Sequence, residues 1–160
     1  MDKLISLLKE NARFSNEQLA TMLDTTPEDI ESRIRKLEKE GVIKGYTVLL
    51  DYEKLESESV VAIIEVKVMP KRDLGFDEIA SRISEYSEVD SVYLMSGAYD
   101  LALIVECRTF KDVAIFVQQR LASLDSVMST ATHFVLVRYK EKGSVLCETG
   151  FDDNRRSTLL

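Results

Sequence analysis

Histidine, cysteine and tryptophan are scarce in this chain. It has one histidine, His133, two cysteines, Cys107 and Cys147, and no tryptophan. The two cysteines lie 40 positions apart with no second pair, and the histidine is not near either, which argues against a zinc cage or a disulfide framework. Cys107 is predicted to be a small apolar side chain in a strand, and Cys147 an exposed thiol in the C-terminal tail.

Long apolar runs and an export signal are absent as well. The 160 residues are 45% hydrophobic and 31% charged, and no apolar run approaches the length of about 18 residues that a membrane helix needs. Such a composition is typical of a soluble globular chain with one or two small domains. Residues 1–4 lack the basic segment and apolar stretch of a secretory signal, so we expect a cytoplasmic protein.

Motifs that carry enzyme chemistry are also missing. The sequence has no Gly-rich phosphate loop, no GxSxG nucleophile elbow and no His, Cys and Asp set with the spacing of metal ligands. His133 lies in a segment rich in apolar residues, where a structural role is the simpler interpretation. We therefore expect no catalytic residue, no metal and no cofactor.

The acidic charge is concentrated in the second part of the chain. The net charge is -7, but residues 1–50 carry eight basic and nine acidic side chains, a net charge of only -1. Residues 33–44 have five basic and two acidic side chains, a local excess of three positive charges. Screening over roughly 8 Å at physiological salt would let this local patch act on phosphates despite the distant acidic segment.

Residues 1–50 are predicted to form three short helices and a trailing extended segment. Ser15 opens a capping box before the second helix, and Thr26 followed by Pro27 is a strong start for the third. Gly41 accepts the left-handed conformation of a helix end. The last two helices are joined by about three residues, as in a helix-turn-helix, and Val42–Leu50 follows as an extended segment.

The remaining chain is predicted to be a linker, a second domain and a tail. Residues 51–59 are polar and acidic and suit a linker. Strands are predicted at residues 60–69, 92–96, 101–107 and 128–139, and helices at residues 76–83 and 109–121. This βαββαβ order predicts a ferredoxin-like domain over residues 60–142, followed by a polar tail at 143–160. The predicted fold class is therefore α+β, with a winged-helix-like helix-turn-helix domain before the ferredoxin-like domain.

Both faces of the predicted sheet carry apolar residues. Val61 and Ile63 alternate with Ala62 and Ile64, yet both predicted helices would lie on one face. A large uncovered apolar face normally marks an interface, so we expect two subunits to pack sheet against sheet. The alternative is a C-terminal tail that covers this face.

The third helix is predicted to enter the major groove of DNA. With its apolar stripe turned inward, the predicted DNA-contacting set is Thr26, Glu28, Ser32, Arg33, Arg35, Lys36 and Lys39. Arg35, Lys36 and Lys39 suit phosphates, and the base-edge candidates are Thr26, Glu28, Asp29 and Ser32. The alternative is an ordinary solvated helix face, in which these cations pair with glutamates one turn away.

Several segments together resemble one family. Residues 8–15, 17–20, 33–38 and 41–46 resemble the DNA-binding domain of the Lrp/AsnC (feast/famine) transcription regulators, and residues 97–101, 116–121, 130–132 and 135–136 resemble their ligand-sensing domain. The resemblance runs in order from residue 2 to about residue 142. It departs at Asp24, where the family usually has Gly in the turn, and residues after Lys142 have no counterpart.

The resemblance implies a homodimer that binds double-stranded DNA and assembles into tetramers or octamers. It also implies a small effector, an amino acid or a related metabolite, bound between subunits. The effector residues implied are Gly97, Tyr99, Asp100, Thr130 and Thr132. Each also has a structural alternative, since Gly97 suits a turn, Asp100 a cap and the two threonines a strand.

Two other functions compete with this one. A sensor subunit of the same fold without specific DNA binding would fit the acidic residues at the start of the third helix. A sirohaem-decarboxylase-like enzyme would share the two-domain build, but it needs basic and histidine side chains around a tetrapyrrole, and the chain has one histidine.

Overall fold

The structure, a computed structural model, describes residues 2–52, 55, 59–69 and 75–146. The chain divides into two compact units, the first ending at Leu49 and the second beginning at Leu50. Most of the predicted linker at 51–59 and the tail from Cys147 onward lie outside the described residues.

The first unit contains the three predicted helices. They are α1 (Lys3–Glu10), α2 (Asn16–Leu23) and α3 (Pro27–Lys39). Ser15 forms the predicted capping box with Gln18, and the Thr26 hydroxyl accepts the Asp29 backbone N–H at 3.2 Å. The helices begin where the sequence predicts because these caps satisfy first-turn N–H groups that have no partner inside the helix.

The turn between α2 and α3 depends on an aspartate in a left-handed conformation. Asp24 has φ 52° and ψ 54°, and the next residue, Thr25, donates its backbone N–H to the Ala20 carbonyl at 3.0 Å. Asp tolerates this region better than most residues because its short polar side chain bonds locally. The turn that the family usually makes with glycine is therefore preserved.

Four side chains form the buried centre of this unit. Leu4, Leu19, Ala20 and Ile30 come one or two from each helix, and Ile34 and Leu37 pack against them. Ile30 is fully buried. The inward stripe predicted for α3 is thus the one that packs against α1 and α2, which leaves the opposite side of α3 in solvent.

The extended segment predicted over Val42–Leu50, which the sequence pattern would allow as a trailing strand, is not part of any sheet that the structure describes. These residues form no strand within the described part of the chain, and Val42, Tyr46 and Val48 are exposed. An extended segment becomes a strand only when another backbone supplies its hydrogen bonds, and no described segment pairs with it.

The second unit has the predicted βαββαβ order. Its strands are β1 (Val60–Val68), β2 (Val89–Leu94), β3 (Leu101–Cys107) and β4 (Val127–Phe134), joined in an antiparallel sheet of order β2-β3-β1-β4. Its helices are α4 (Asp77–Ser84) and α5 (Phe110–Phe116), and a π-helical turn, Val117–Leu121, continues α5. The ferredoxin-like α+β architecture is confirmed.

Several predicted boundaries in this unit differ from the structure, including that of β2, which begins at Val89 instead of residue 92. The last strand ends at Phe134 instead of Tyr139, and a small hairpin of β5 (Lys140–Glu141) and β6 (Ser144–Val145) follows. Its turn residues, Lys142 and Gly143, have φ values of 44° and 92°, the left-handed conformations that a tight hairpin needs. The predicted boundary at 142 therefore falls inside a hairpin.

The helices cover one face of the sheet. Alternate β1 residues, such as Ala62, Ile64 and Val66, form the core with Ile83 and Phe116 from the helices. The opposite side of the sheet is called the open face here. The strand register places Val61 and Ile63 of β1, Tyr93 of β2, and Ala102 and Ile104 of β3 on it. Of these, Ile63 and Tyr93 are exposed, whereas Val61 and Ala102 are buried.

Candidate DNA-binding surface and effector region

One stripe of α3 points away from the core of the first unit. At about 100° per residue, Glu28, Ser32 and Lys39 lie within about 20° of the direction opposite Ile30. Arg35 and Lys36 flank this stripe, and all five residues are exposed. We call these five residues the outer stripe. Its cations lie in the C-terminal half of the helix, and its one carboxylate lies in the first turn.

Arg33 and Asp29 belong to an internal network instead of the outer stripe. The Arg33 guanidinium donates to both carboxylate oxygens of Asp2 at 3.0 and 3.2 Å, and it lies 3.7 Å from Asp29. The Asp29 carboxylate also accepts the Thr25 hydroxyl at 3.0 Å. A hydrogen bond from the Leu4 backbone, with the help of Arg33, lowers the pKa of Asp2. These contacts tie the start of α1 to α3.

The ion pairs of the outer stripe are exposed and join only neighbours on the same helix. Arg35 pairs with Glu31, and Lys36 lies 3.9 Å from Glu40, each one turn away. Lys39 has no ion pair within the described residues. Exposed pairs of this kind contribute about 0–1 kcal/mol, so these side chains can exchange a glutamate for a phosphate at little cost.

The predicted effector loop is held to the end of β1. The Asp100 carboxylate accepts the backbone N–H of Val68 at 2.9 Å, and the Asp100 N–H donates to Val66 O at 3.1 Å. Lys67 donates to the Ala98 carbonyl at 2.9 Å. Asp100 thus has the capping role that is the alternative to effector binding. Only one of its two carboxylate oxygens accepts a hydrogen bond within the described residues.

Thr130 and Thr132 lie on β4, which pairs with the edge of β1 opposite to β3. Thr130 is paired with Val66 and Thr132 with Ile64, so both threonines face the helix side of the sheet, where they are half-buried. The Asp100 N–H bonds Val66 from the β3 side of β1, and Thr130 pairs with the same residue from the β4 side. Asp100 and Thr130 are therefore about 10 Å apart, across two strand spacings.

The structure therefore places four of the five predicted effector residues at one end of the sheet. Gly97, Tyr99 and Asp100 lie in the loop between β2 and β3, and Thr130 lies beyond β1. Thr132 is two residues further along β4, about 7 Å away from this end.

Two long-range polar contacts of the second unit were not predicted from the sequence. Lys67, which holds the loop at Ala98, lies 31 positions from it in the chain. His133 lies 3.6 Å from Glu65 on the open face. Only the strand register shows that these pairs meet, because no short-range spacing connects them.

Cys107 occupies the structural position predicted for it. It is the last residue of β3. Burial raises the pKa of its thiol, and the nearby Glu88 carboxylate raises it further. The described residues contain no group of His, Cys, Asp and Glu that could hold a metal ion. No helix in the described part of the chain is long and apolar enough to cross a membrane.

Comparison with known proteins gives two domain matches in one chain. A winged helix-turn-helix DNA-binding domain matches residues 3–44, and the Lrp/AsnC ligand binding domain matches residues 61–145. The second match takes in the effector loop and both threonines.

Curated relatives match over most of the chain. The HTH-type transcriptional regulator YugG of Bacillus subtilis is 47% identical over 154 residues, which cover 96% of this chain and 92% of that protein. A proline dehydrogenase transcriptional activator of Rhizobium radiobacter is 28% identical over 88% of this chain and 90% of its own. Such relatives do not favour the sensor-only subunit or the sirohaem-decarboxylase-like enzyme.

A solved structure agrees with the architecture. A transcriptional regulator from Neisseria meningitidis, crystallised as its L-Met complex, is 26% identical and has a TM-score of 0.71, covering 87% of this chain and 89% of that chain.

Proposed function

The chain belongs to the Lrp/AsnC family of helix-turn-helix transcription regulators, and from this premise we propose how it binds DNA, effector and further copies of itself. It acts in the cytoplasm, where the first unit binds double-stranded DNA and the second unit binds an amino acid or a related metabolite. The observation that carries the proposal is the outer stripe of α3, which presents three exposed cations and the start of the helix to solvent.

On DNA, the residues of α3 divide by their position along the helix. The recognition helix of a helix-turn-helix places its N-terminal residues against base edges. Thr26, Glu28 and Ser32 therefore lie near bases, whereas Arg35, Lys36 and Lys39 bind phosphates. Arg33 is a positioning residue that holds α3 against α1 through Asp2.

The effector binds at the end of the sheet formed by the loop 97–100 and Thr130. The second oxygen of the Asp100 carboxylate can accept from an ammonium group, and the threonine hydroxyls can donate to a carboxylate. The L-Met complex of the Neisseria meningitidis regulator supports an amino acid as the ligand class. The half-buried Tyr99 and the exposed Gly97 shape the loop side of this site.

The open face of the sheet is the dimer interface. Ile63 is 42% exposed and Tyr93 is 51% exposed in the isolated chain. Packing two such faces together removes these side chains from water, which favours association by about 25 cal/mol per Å² of apolar area. Further contacts between dimers give tetramers or octamers.

The mechanism is a coupling between effector binding and assembly. An effector that fits one arrangement of subunits better than another shifts the population toward it. The shift changes the spacing of paired α3 helices, which must match half-sites about one helical turn apart.

The experiment is a fluorescence anisotropy titration of labelled DNA from upstream of the protein's own coding region, with unrelated DNA as the control. We expect specific binding that salt weakens, and a shift of the curve with one of the amino acids. Equal binding to both DNAs would contradict the proposal and favour a sensor-only subunit.

A further inference from the structure

Glu28 is the one acidic side chain of the outer stripe. It is the second residue of α3, it is exposed, and no hydrogen bond or ion pair engages it within the described residues. The next residue, Asp29, is held by the Thr25 hydroxyl and lies near Arg33. The outer stripe therefore offers DNA one unengaged carboxylate, at the end of the helix that enters the groove.

This carboxylate cannot lie against the DNA backbone. Phosphates repel it, whereas the cations of the same stripe lie two or three turns further along α3, where phosphates attract them. When Arg35, Lys36 and Lys39 bind phosphates, Glu28 is directed at base edges in the major groove.

The base edges differ in what they offer to a carboxylate. An ionised carboxylate only accepts hydrogen bonds. Guanine presents two acceptors in the major groove, and thymine presents an acceptor and a methyl group. Adenine presents its amino donor beside the N7 acceptor, and cytosine presents its N4 amino group alone. Cytosine is therefore the base that offers Glu28 a hydrogen-bond donor without an acceptor beside it that would repel the carboxylate.

We propose that Glu28 reads cytosine: it accepts a hydrogen bond from the N4 amino group, so that each half-site of the operator has a C·G pair opposite the first turn of α3. This inference rests on the proposed function, because it requires α3 to enter the major groove. Ser32, one turn along, adds no such restriction, since a hydroxyl both donates and accepts.

The test is selection of bound sequences from a randomised DNA library with the full-length protein and two variants. The wild type should enrich one cytosine position per half-site by about fivefold or more over other bases. Glu28→Gln should shift that position toward adenine, because an amide both donates to N7 and accepts from N6. The rest of the motif should stay unchanged.

The matched control is Glu17→Gln. Glu17 is also the second residue of its helix, α2, and is also exposed, so both variants remove one acid from a first helical turn. The control should select the wild-type motif. Thermal unfolding of the two variants separates a loss of folding from a change of base preference.

The outcomes of this selection separate the two proposals. An unchanged motif with Glu28→Gln, or a wild-type motif without a preferred cytosine, would overturn the role of Glu28 while leaving DNA binding in place. If the wild type and the Glu17→Gln control select no sequence at all, the proposed function fails, and the inference fails with it.

Discussion

Removing two cations from the outer stripe should weaken DNA binding in a salt-dependent way. We expect Lys36→Ala combined with Lys39→Ala to lower the affinity for every DNA sequence tested. Lys36 has only a 3.9 Å contact with Glu40, and its side chain is 73% exposed, so little internal stability is lost with it. The change therefore reports on contacts with DNA and not on folding.

The magnitude follows from counterion release. Each phosphate contact contributes about 0.9 to the slope of log affinity against log salt, so two lost contacts lower the slope by about 1.8 for each bound α3. Between about 50 and 200 mM salt, the deficit of the double variant should shrink by about tenfold for each bound α3. Anisotropy titrations at several salt concentrations measure the slope directly.

The control has the same change in net charge at another place. Arg82→Ala with Lys111→Ala removes two exposed cations from α4 and α5 of the second unit, neither of them in an ion pair within the described residues. We expect its slope to equal that of the wild type. If the two double variants have the same slope, the protein binds DNA through its overall charge, and the placement of α3 is refuted.

Three further predictions concern the second unit. Ile63→Lys should shift dimers toward monomers in sedimentation velocity, because it places a charge in the centre of the open face. Ile115→Lys, at a similarly exposed residue of α5, should leave the dimer intact. A dimer that survives the Ile63 change argues against sheet-to-sheet packing. Thr109→Ala should lower the free energy of unfolding by about 0.5–2 kcal/mol in urea titrations, since it removes the capping box of α5. Thr109→Ser keeps a hydroxyl and should retain most of the wild-type stability. No loss of stability in the alanine variant would show that the cap is dispensable. In a Cys147→Ser background, the raised pKa of Cys107 should leave less thiolate at pH 8 than free cysteine has. Iodoacetamide should therefore alkylate Cys107 more slowly than it alkylates free cysteine. Equal rates would contradict the burial of this thiol.

Local signals in the sequence predicted the helices well. Ser15 and Thr26 were each expected to open a helix, and each caps one, as Thr109 also does for α5. A cap joins a side chain to a backbone group three residues away, so the residues that determine it are neighbours in the sequence. The outer stripe of α3 was predictable for the same reason, since its period is a property of the helix itself.

Strand ends and long-range contacts were predicted less well. The last strand was expected to reach Tyr139, but it ends at Phe134, one residue before its last backbone hydrogen bond to β1, which Val135 donates to Val61. Since β1 begins at Val60, the apolar residues further along continue the same pattern without β1 beside them. A strand depends on hydrogen bonds from a distant segment, which its own composition does not specify.

The candidate sites show the same division. Residue types and their order indicated the family, the helix predicted to face DNA and the loop predicted to face the effector. Only the tertiary structure pairs Arg33 with Asp2, 31 positions away, and holds Asp100 against Val68 across 32 positions. The sequence by itself determined which chemical groups are available within one or two helical turns, because those distances are set by local backbone geometry. The fold decided which of these groups are already engaged by partners and which remain free to bind, because that depends on chain segments brought together by burial of the core.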